Sequence, residues 1–515
     1  MSNNKNLLIS IIFIGVFSSF TYWIGYYSNK EIKSYHSNNW QNIDFILNHL
    51  MNKYVDTLDK NTLSQKSIYN ILKDLDPHST YIPSTDVQSV NEELIGHFGG
   101  IGIRFMILRD TLTVVDVIQD GPSAEKGLRK RDRIIEVDDK NVAGIGITNK
   151  DVLKKLKGKV GSNVKLKILR EKKLTLIKEI QRGIIPLKSI TAAAMIDDKN
   201  GYIKIASFSN NTDSEFESAL TSLLKNGMIN LILDLRFNGG GYLHQAINIA
   251  DEFLGDRKLI VYTEGAHSKK QTYYATKKGG FEYGKLAILV NSGTASASEI
   301  VSGAIQDHNR GIIVGRRTFG KGLVQQPVLL PDSSELRITT SRYYTPSGKC
   351  IQKPYGDSID YGNDLFERLE NGELTLIDSI NDKLIKKGGI WPDIFSPIDT
   401  SEFNSVVSNV TFSRSWRNFC FDFYEKYPEK PFEDIFEFFE KFKVKKSIFI
   451  NYFYENKLSL DLLKNKVLKD LRRSLMLEIC SYYYNDQSRY ILSALDDNDV
   501  KMAIEQLNIN TEPPQ

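Results

Sequence analysis

The sequence predicts a mixed α/β protein with a layered α/β core, a mostly-β part ahead of that core and helical segments at both ends. From Gly201 onward, short apolar strands alternate with helical patterns, which is typical of a sheet with parallel pairing. Between residues 91 and 183, short alternating segments separated by turns indicate strands, with two helices among them. After residue 401, Phe, Tyr and Lys recur at helical spacing.

Composition excludes several function classes. The chain has 515 residues, of which 41% are hydrophobic, so it is a globular protein large enough for several domains. A net charge of only +4 argues against nucleic acid as the main partner. Lys and Arg concentrate between Lys126 and Lys188, where a solvated face is the simplest interpretation and an acidic partner or lipid headgroups are the alternative. The three cysteines and seven histidines are scattered, so no metal site is predicted.

The N-terminus carries an uncharged apolar segment, Leu7 to Tyr27. About 20 such residues span a bilayer as a helix, so the segment is a signal peptide or an uncleaved signal anchor. No clear A-x-A cleavage site follows, and aromatic residues such as Trp23 are typical of a membrane interface. We therefore predict a single-pass protein of the inner (cytoplasmic) membrane, anchored by residues 1–30, with its catalytic region extracytoplasmic or periplasmic.

Helical patterns follow this segment, as in "NIDFILNHLMNKYV", and the turn "DPHSTYIP" interrupts them. The mostly-β part then contains the strand "TLTVVDVIQ", the amphipathic helix "TNKDVLKKLKG" and a hairpin. The predicted order of parts is a membrane segment (1–30), a helical region (31–90), a mostly-β domain (91–183), an α/β core (184–400) and a helical extension of unknown role (401–515).

Two apolar strands of the core end in loops of unusual composition, "LILDLRFNGGGYL" and "LAILVNSGTASASE". In open α/β sheets, binding sites form at the carboxyl ends of the strands. The run Gly239–Gly241 could turn backbone N–H groups toward an oxyanion or a phosphate, or it could be only a tight turn. It is not a Walker A loop, because no GK[ST] follows it.

The serine-rich loop raises the question of a nucleophile and its base. Ser292, Ser296 and Ser298 lie between a strand and a helix, outside any GxSxG motif. His308 follows in the same helical run, about 18 Å farther along a helix, and is too distant to act as base. Lys321 in "RTFGKGLVQQ" could act as base if burial lowered its pKa. A lysine in a glycine-rich loop is usually solvated, so spacing alone does not decide.

The segment "GTASASEIVSGAIQDHNRGIIVGRRTFGKGLVQ" resembles the core signature of the carboxyl-terminal processing proteases, also called tail-specific proteases. The resemblance includes "DLRFNGGG", "LDPHSTYI", "FGGIGI", "YYTPSGKCIQKPY" and "GGIWPDIF", and it extends from Asn42 to Phe395. It implies a crotonase-like or ClpP-like α/β protease core of layered sheet and helices, with an inserted PDZ domain and helical terminal extensions.

The resemblance also implies roles for individual residues. Ser296 corresponds to the nucleophile, Lys321 to the general base, and Gln325 to the residue that orients the lysine. The N–H groups of Ala297 and Gly240 correspond to the oxyanion hole. The family usually has proline where Gly239 stands, which leaves the choice of glycine open by one residue. The implied reaction passes through an acyl-enzyme and requires neither a cofactor nor a metal.

"FGGIGIRF" resembles the carboxylate-binding loop of a PDZ domain. By this resemblance, the N–H groups of Gly100, Ile101 and Gly102 bind the terminal carboxylate of a substrate. The substrate tail would then pair as an added strand beside the segment that begins at Ile103. A PDZ domain that serves only as a scaffold is the alternative.

The sequence thus predicts a serine endopeptidase that binds free C-terminal tails of exported or membrane proteins and cleaves near their C-termini. Its predicted partners are these substrates and the membrane, with no nucleic acid. The resemblance also implies a homo-oligomer, because the helical ends of related proteases can build dimers. The alternatives are a catalytically silent PDZ adaptor and a Ser/His hydrolase that uses His308 or His244. We interpret His78, in "LDPHST", as a structural turn residue.

Overall fold

The computed structural model describes residues 38–171, 173–356, 360–375, 387–398 and 404–509. The fold divides into two compact units, Met1–Leu75 and Asp76–Gln515. The described part of the first unit consists of helices α1 (Asn38–Lys53) and α2 (Lys60–Lys73). The side chain of Asp59 caps α2 by accepting a hydrogen bond from the Thr62 N–H.

The second unit begins with mostly-β structure. Its elements are β1 (Thr80–Ile82), α3 (Ser84–Ile95), β2 (His97–Gly100), β3 (Ile103–Leu108), β4 (Thr111–Val117), α4 (Pro122–Glu125), β5 (Arg133–Val137), β6 (Lys140–Asn141), α5 (Asn149–Leu156), β7 (Asn163–Arg170), β8 (Leu174–Gln181) and β9 (Gly183–Pro186). Strands β3-β4-β5-β7-β8 form one antiparallel sheet in that order, with β6 on β5, while β2 pairs with β9. Apolar side chains such as Ile134, Leu166 and Ile168 are fully buried between this sheet and α5.

The α/β core follows. Its elements are β10 (Ile190–Met195), β11 (Asn200–Ile205), α6 (Thr212–Lys225), β12 (Asn230–Asp234), α7 (Leu243–Asp251), β13 (Leu259–Gly265), β14 (Ser268–Tyr274), β15 (Lys285–Val290), α8 (Ala297–Asp307), β16 (Ile312–Gly315), β17 (Leu323–Leu329), β18 (Glu335–Tyr344), α9 (Asp364–Glu370) and β19 (Ile394–Phe395). Strands β10-β11-β12-β15-β16-β19 form the central sheet, which is parallel from β11 onward. A second sheet has the order β1-β18-β13-β14, with β17 also paired to β18.

The C-terminal extension is helical. Its elements are α10 (Ser405–Thr411), α11 (Arg414–Lys426), α12 (Ile435–Lys441), α13 (Lys446–Glu455), a 3-10 turn (Leu460–Leu462), α14 (Asn465–Tyr483), α15 (Asp486–Leu495) and α16 (Asn498–Asn508). Its aromatic residues form a buried core, in which Trp416, Phe438 and Phe449 are almost fully enclosed. The aromatic periodicity therefore marks a core.

Both faces of the central sheet are covered. On one face, α6, α7 and α8 bury residues such as Ile203 and Ile288. On the other face, Val500 and Leu507 of α16 pack against Ile232 of β12, and α15 contributes to the same cluster. Covering on both faces explains why the parallel strands are apolar at nearly every position instead of alternating. The extension, to which the sequence assigned no role, thus supplies one layer of the core.

Within the described ranges, no helix is both long and apolar enough to cross a bilayer. The longest of these helices, α14, carries lysines and arginines such as Lys469, Arg472 and Arg473 between its buried residues. This finding contradicts the predicted single-pass location in the inner membrane, and that prediction is corrected. The apolar segment Leu7–Tyr27, on which the predicted signal anchor depended, lies outside the described residues. The domain boundaries predicted from the sequence stay predictions.

Candidate active site

Ser296 lies in the turn that joins β15 to α8. Its backbone adopts φ 57° and ψ −115°, a left-handed conformation that is strained for a residue with a side chain. The helix begins at the next residue, Ala297. As the first N–H of a helix, that of Ala297 has no intrahelical acceptor, and none of the described residues accepts it. The turn therefore presents a hydroxyl beside an N–H at the positive end of a helix.

The buried carboxylate of Glu299 joins the serine turn to the lysine loop. Its Oε2 accepts hydrogen bonds from the N–H groups of Ser296 and Lys321, each at 2.8 Å. The two backbone nitrogens can therefore be no more than 5.6 Å apart, which is twice 2.8 Å. Its Oε1 accepts from the Thr318 hydroxyl at 2.5 Å and from the Gly320 N–H at 2.8 Å. Burial raises the pKa of Glu299 to about 7, although these hydrogen bonds act in the opposite direction.

Lys321 is half-buried and hydrogen-bonded to Gln325. Its Nζ donates to Gln325 Oε1 at 2.8 Å, and Gln325 Nε2 donates in turn to the backbone oxygen of His78 at 2.6 Å. Burial lowers the pKa of Lys321, and the charge of Arg337 lowers it further. A neutral amine is therefore more accessible near neutral pH than in an exposed lysine.

Tyr343, in β18, makes a second connection between the two loops. Its hydroxyl lies 3.0 Å from the backbone oxygen of Ser296 and also contacts the backbone oxygen of Lys321. Among the described residues, no hydrogen bond joins Ser296 Oγ to Lys321 Nζ. The structure thus brings Ser296, Lys321 and Gln325 into one site, in which the lysine amine is hydrogen-bonded to the glutamine.

His78 belongs to the surroundings of this site. The Asp76 carboxylate accepts from the N–H groups of His78 and Ser79, each at 2.8 Å, which closes the turn around His78. The imidazole Nε2 lies 2.8 Å from the Tyr361 hydroxyl. Burial lowers the pKa of His78 to about 4, and the charge of Lys321 contributes, so the ring is neutral at physiological pH. The turn residue predicted from the sequence also supports Gln325 through its carbonyl.

The glycine loop packs directly against the serine turn. A Cβ added to Gly240, whose φ is 102°, would lie 2.7 Å from Ser296 Cβ and 3.0 Å from the Ala297 nitrogen. The Gly240 N–H donates to Asn238 Oδ1 at 2.9 Å, so it is already hydrogen-bonded here. The Gly241 N–H has no acceptor among the described residues. The loop therefore reaches the predicted oxyanion position, but the N–H groups without an acceptor among the described residues are those of its neighbours Gly239 and Gly241.

The two histidines considered as alternative bases have other surroundings. His308 caps the end of α8 opposite to Ser296, and its Nε2 lies 2.8 Å from the backbone oxygen of Leu259. His244 lies on α7, with its ring 5.2 Å from that of Tyr242. No described contact connects either imidazole to Ser296.

The predicted tail-binding residues form the entry to β3. Gly100 ends β2, Ile103 begins β3, and Ile101 and Gly102 connect the two strands. In the described part of the chain, the N–H groups of Ile101 and Gly102 donate to no acceptor. Gly102 has φ 75°, which favours glycine. These two N–H groups are free to bind an anion.

A buried apolar cluster adjoins these donors. Ile101 and Ile103 belong to the same apolar cluster as Val152 and Leu156 of α5. Strand β3 lies at the edge of its sheet, where it pairs only with β4 among the described strands. An extended peptide can therefore pair with β3 as an added strand.

Sequence reasoning did not assign roles to Glu299, Asn238 or the carbonyl of His78. All three lie inside the motifs that carry the family resemblance, and Glu299 is the single carboxylate of "SGTASASE". The available signal for Glu299 was its position as a charged residue in a run of small residues.

Comparison with known proteins identifies the family of this chain. The model of peptidase family S41 matches residues 199–360, and that of the PDZ domain matches residues 99–178. The carboxy-terminal-processing protease of Bartonella bacilliformis is 34% identical over 315 residues, which cover 60% of this chain and 71% of that relative. This chain belongs to the carboxy-terminal-processing protease family. It is therefore a serine-type peptidase with a PDZ domain, and the predicted fold class is confirmed.

Two further similarities extend the comparison. The carboxy-terminal processing protease CtpA of Bacillus subtilis is 33% identical over 301 residues, which cover 58% of this chain and 64% of that relative. The chain thus matches less than two thirds of the Bacillus protein. A solved structure, the photosystem II D1 C-terminal processing protease, is 27% identical with a TM-score of 0.37 and covers 68% of this chain and 86% of its own.

Peptidase activity is expected to increase with pH across the neutral range. Only the neutral amine of Lys321 can accept a proton, and burial lowers the pKa of that amine. Glu299 has a pKa of about 7 and accepts its four donors best when ionised, which acts in the same direction. The measurement is kcat/KM from about pH 5 to 9, with circular dichroism at each pH to establish that the protein stays folded. Activity that decreased from acid to neutral pH would contradict the prediction that Lys321 is the general base.

Proposed function

We propose that this protein is an endopeptidase with a Ser296–Lys321 dyad, which binds the free C-terminus of a protein substrate and cleaves near it. The observation that supports this most is the shared acceptor: one oxygen of Glu299 holds the backbones of Ser296 and Lys321 together. The unusual backbone of Ser296 and the lowered pKa of Lys321 agree with it, because strain and perturbed pKa values concentrate at functional sites.

The proposed reaction begins when the neutral Lys321 amine takes the proton of Ser296 Oγ. Gln325 orients the amine through the hydrogen bond to Nζ. The serine oxygen attacks the peptide carbonyl, and the tetrahedral intermediate collapses to an acyl-enzyme as the Lys321 ammonium protonates the leaving amine. A water molecule, deprotonated by the same lysine, then attacks the acyl-enzyme, and the lysine gives this proton to Ser296 Oγ as the fragment with the new C-terminus leaves.

The Ala297 N–H is the first proposed donor to the oxyanion. It is unpaired among the described residues and lies at the positive end of α8. The second donor comes from the glycine loop. Gly240 can serve only if its N–H leaves Asn238 Oδ1, whereas the Gly241 N–H is unpaired. The sequence left open by one residue which glycine donates to the oxyanion, and the choice between Gly240 and a neighbouring glycine therefore stays open.

The proposed substrate is a protein with an apolar tail and a free terminal carboxylate. The unpaired N–H groups of Ile101 and Gly102 suit a carboxylate, and the edge strand β3 suits an extended tail. The apolar character of the tail is what the family resemblance implies. The homo-oligomer expected from the sequence remains a prediction.

Blocking the substrate carboxylate as an amide is expected to raise KM by about tenfold, because a charge-assisted hydrogen bond contributes roughly 1.5–3 kcal/mol. We would compare an apolar peptide with a free C-terminus and its amide, identifying the products by mass spectrometry. A short ester substrate without a tail is the control, since its turnover depends on the dyad alone. Equal KM for the acid and the amide would contradict the proposed tail site. Absence of cleavage of both peptides and of the ester would contradict the proposed endopeptidase activity itself.

A further inference from the structure

One carboxylate of the C-terminal extension contacts the starts of both loops of the candidate active site. Asp499, near the start of α16, is 5% exposed. Its Oδ2 accepts from Arg236 at 2.8 Å and from Arg316 at 2.7 Å. Its Oδ1 accepts from the Ser396 hydroxyl at 2.5 Å and from a second nitrogen of Arg316 at 3.1 Å. Asp499 lies outside the segments that match the S41 and PDZ families, which end at residues 360 and 178, whereas Arg236 and Arg316 lie inside the S41 match.

Each arginine stands at the base of a loop of the candidate site. Arg236 follows β12 and precedes the glycine loop that reaches Gly240. Arg316 follows β16 and precedes the loop that carries Lys321. Strands β12 and β16 both pair with β15, which leads to Ser296. Asp499 therefore bridges two loops on either side of the serine.

The bridge is a buried ion cluster. Arg236 also pairs with Asp234 at 2.8 Å and with Asp497 at 2.8 Å, whereas Asp499 is the one acidic residue within ion-pair distance of Arg316 in the described part of the chain. Burial alone would raise the pKa of Asp499, but hydrogen bonds and charge from Arg316, together with the charge of Arg236, hold it below its usual value. Asp499 is thus ionised throughout the working pH range, and its loss would leave Arg316 buried without a counter-charge.

We infer that Asp499 is a positioning residue for the proteolytic site, which holds the glycine loop and the Lys321 loop in their relative places through Arg236 and Arg316. The inference rests on the proposed Ser296–Lys321 chemistry. It assigns the C-terminal extension, which carries no recognised motif, a part in catalysis. Asp499 itself touches neither the substrate nor the reacting atoms. Small displacements of reacting groups cost large factors in rate, so this contact affects kcat more than substrate binding.

The test compares Asp499→Asn with Asp496→Asn. Asp496 lies three positions away in the same extension and pairs with Lys501 at 2.9 Å and Arg473 at 3.4 Å, outside both loops. A fluorophosphonate measures the reactivity of Ser296 without a substrate tail, and an apolar-tailed peptide gives kcat and KM. For Asp499→Asn we expect labelling rate and kcat to fall by about tenfold or more with KM nearly unchanged. Asp496→Asn is expected to behave as the wild type.

A second variant covers the case in which Asp499→Asn does not fold. Arg316→Lys keeps the charge opposite Asp499 but loses the two-point contact, and we expect a smaller fall in labelling and kcat in the same direction. Wild-type labelling and kcat in either folded variant, even with a lowered melting temperature, would show a merely structural role and overturn the inference. Absence of labelling and cleavage in the wild type would instead contradict the proposed dyad.

Discussion

Replacing Lys321 by alanine is expected to lower kcat by roughly 10⁴-fold or more, and replacing Ser296 by alanine is expected to do the same. Without the amine, the two titratable neighbours described in the site do not replace it, since the His78 ring faces Tyr361 and both oxygens of Glu299 already accept hydrogen bonds. The two residues act as a unit, so the double variant should be no slower than either single one. Initial rates on an apolar-tailed peptide, followed by mass spectrometry, measure these effects.

Ser292→Ala is the matched control, because Ser292 belongs to the same serine-rich segment but precedes the strained turn. It should retain a rate within about threefold of the wild type, as expected for a half-buried position outside the proposed catalytic groups. Full activity in Lys321→Ala would show that another base takes the proton. Loss of activity in Ser292→Ala to the level of Ser296→Ala would show that the nucleophile has been misassigned.

Glu299→Gln is expected to lower kcat by about 100-fold, because a small misplacement of the nucleophile or base has an effect of this size. The carboxylate accepts two N–H donors on one oxygen and one N–H donor with a hydroxyl on the other. An amide has only one acceptor oxygen, so its NH₂ group would face either Ser296 and Lys321 or Gly320 and Thr318. In the first arrangement the serine turn loses its hydrogen bond to residue 299, and in the second the lysine loop loses the hydrogen bond from the Gly320 N–H.

The same variant has an effect on stability with a defined sign. The pKa of Glu299 is about 7 in the folded protein, above the usual 4.5, so folding favours the protonated carboxyl. Its contribution to stability is present at low pH and is lost as pH rises toward 7 and beyond. The free energy of unfolding of the wild type, relative to that of Glu299→Gln, should therefore be higher at pH 5 than at pH 8 in urea titrations.

Glu215→Gln is the matched control for the expected loss of kcat in Glu299→Gln. Glu215 lies on α6 in the same core, where its carboxylate accepts from the Ile190 N–H at 3.0 Å. It should keep wild-type kcat. A Glu299→Gln variant with wild-type kcat would contradict the role of the shared carboxylate in holding the two loops.

The sequence predicted the elements better than their assembly. Apolar strands such as "INLILDL" and "KLAILV" indicated a parallel sheet because burial on both faces removes the alternation of polar residues. The same pattern does not say which helices cover each face. The layer made by α16 depends on contacts such as Val500 with Ile232, which join residues far apart in the chain.

For the candidate site, the family resemblance named Ser296, Lys321 and Gln325, but spacing alone could not bring them together. Their proximity depends on Glu299, which accepts N–H groups from two separate loops. The sequence also could not show that the side chain of Asn238 accepts a hydrogen bond from the Gly240 N–H. A run of glycines does not indicate which acceptors its N–H groups bind.

Trapping of the acyl-enzyme tests the central claim most directly. A peptide with a free apolar C-terminus would be mixed with the protein, quenched in acid during the first turnover and digested for mass spectrometry, with Ser296→Ala in parallel. The account predicts an adduct of the N-terminal product fragment on the peptide that contains Ser296, and no adduct in the variant. Turnover at the wild-type rate in Ser296→Ala, or an adduct on a different residue, would contradict it.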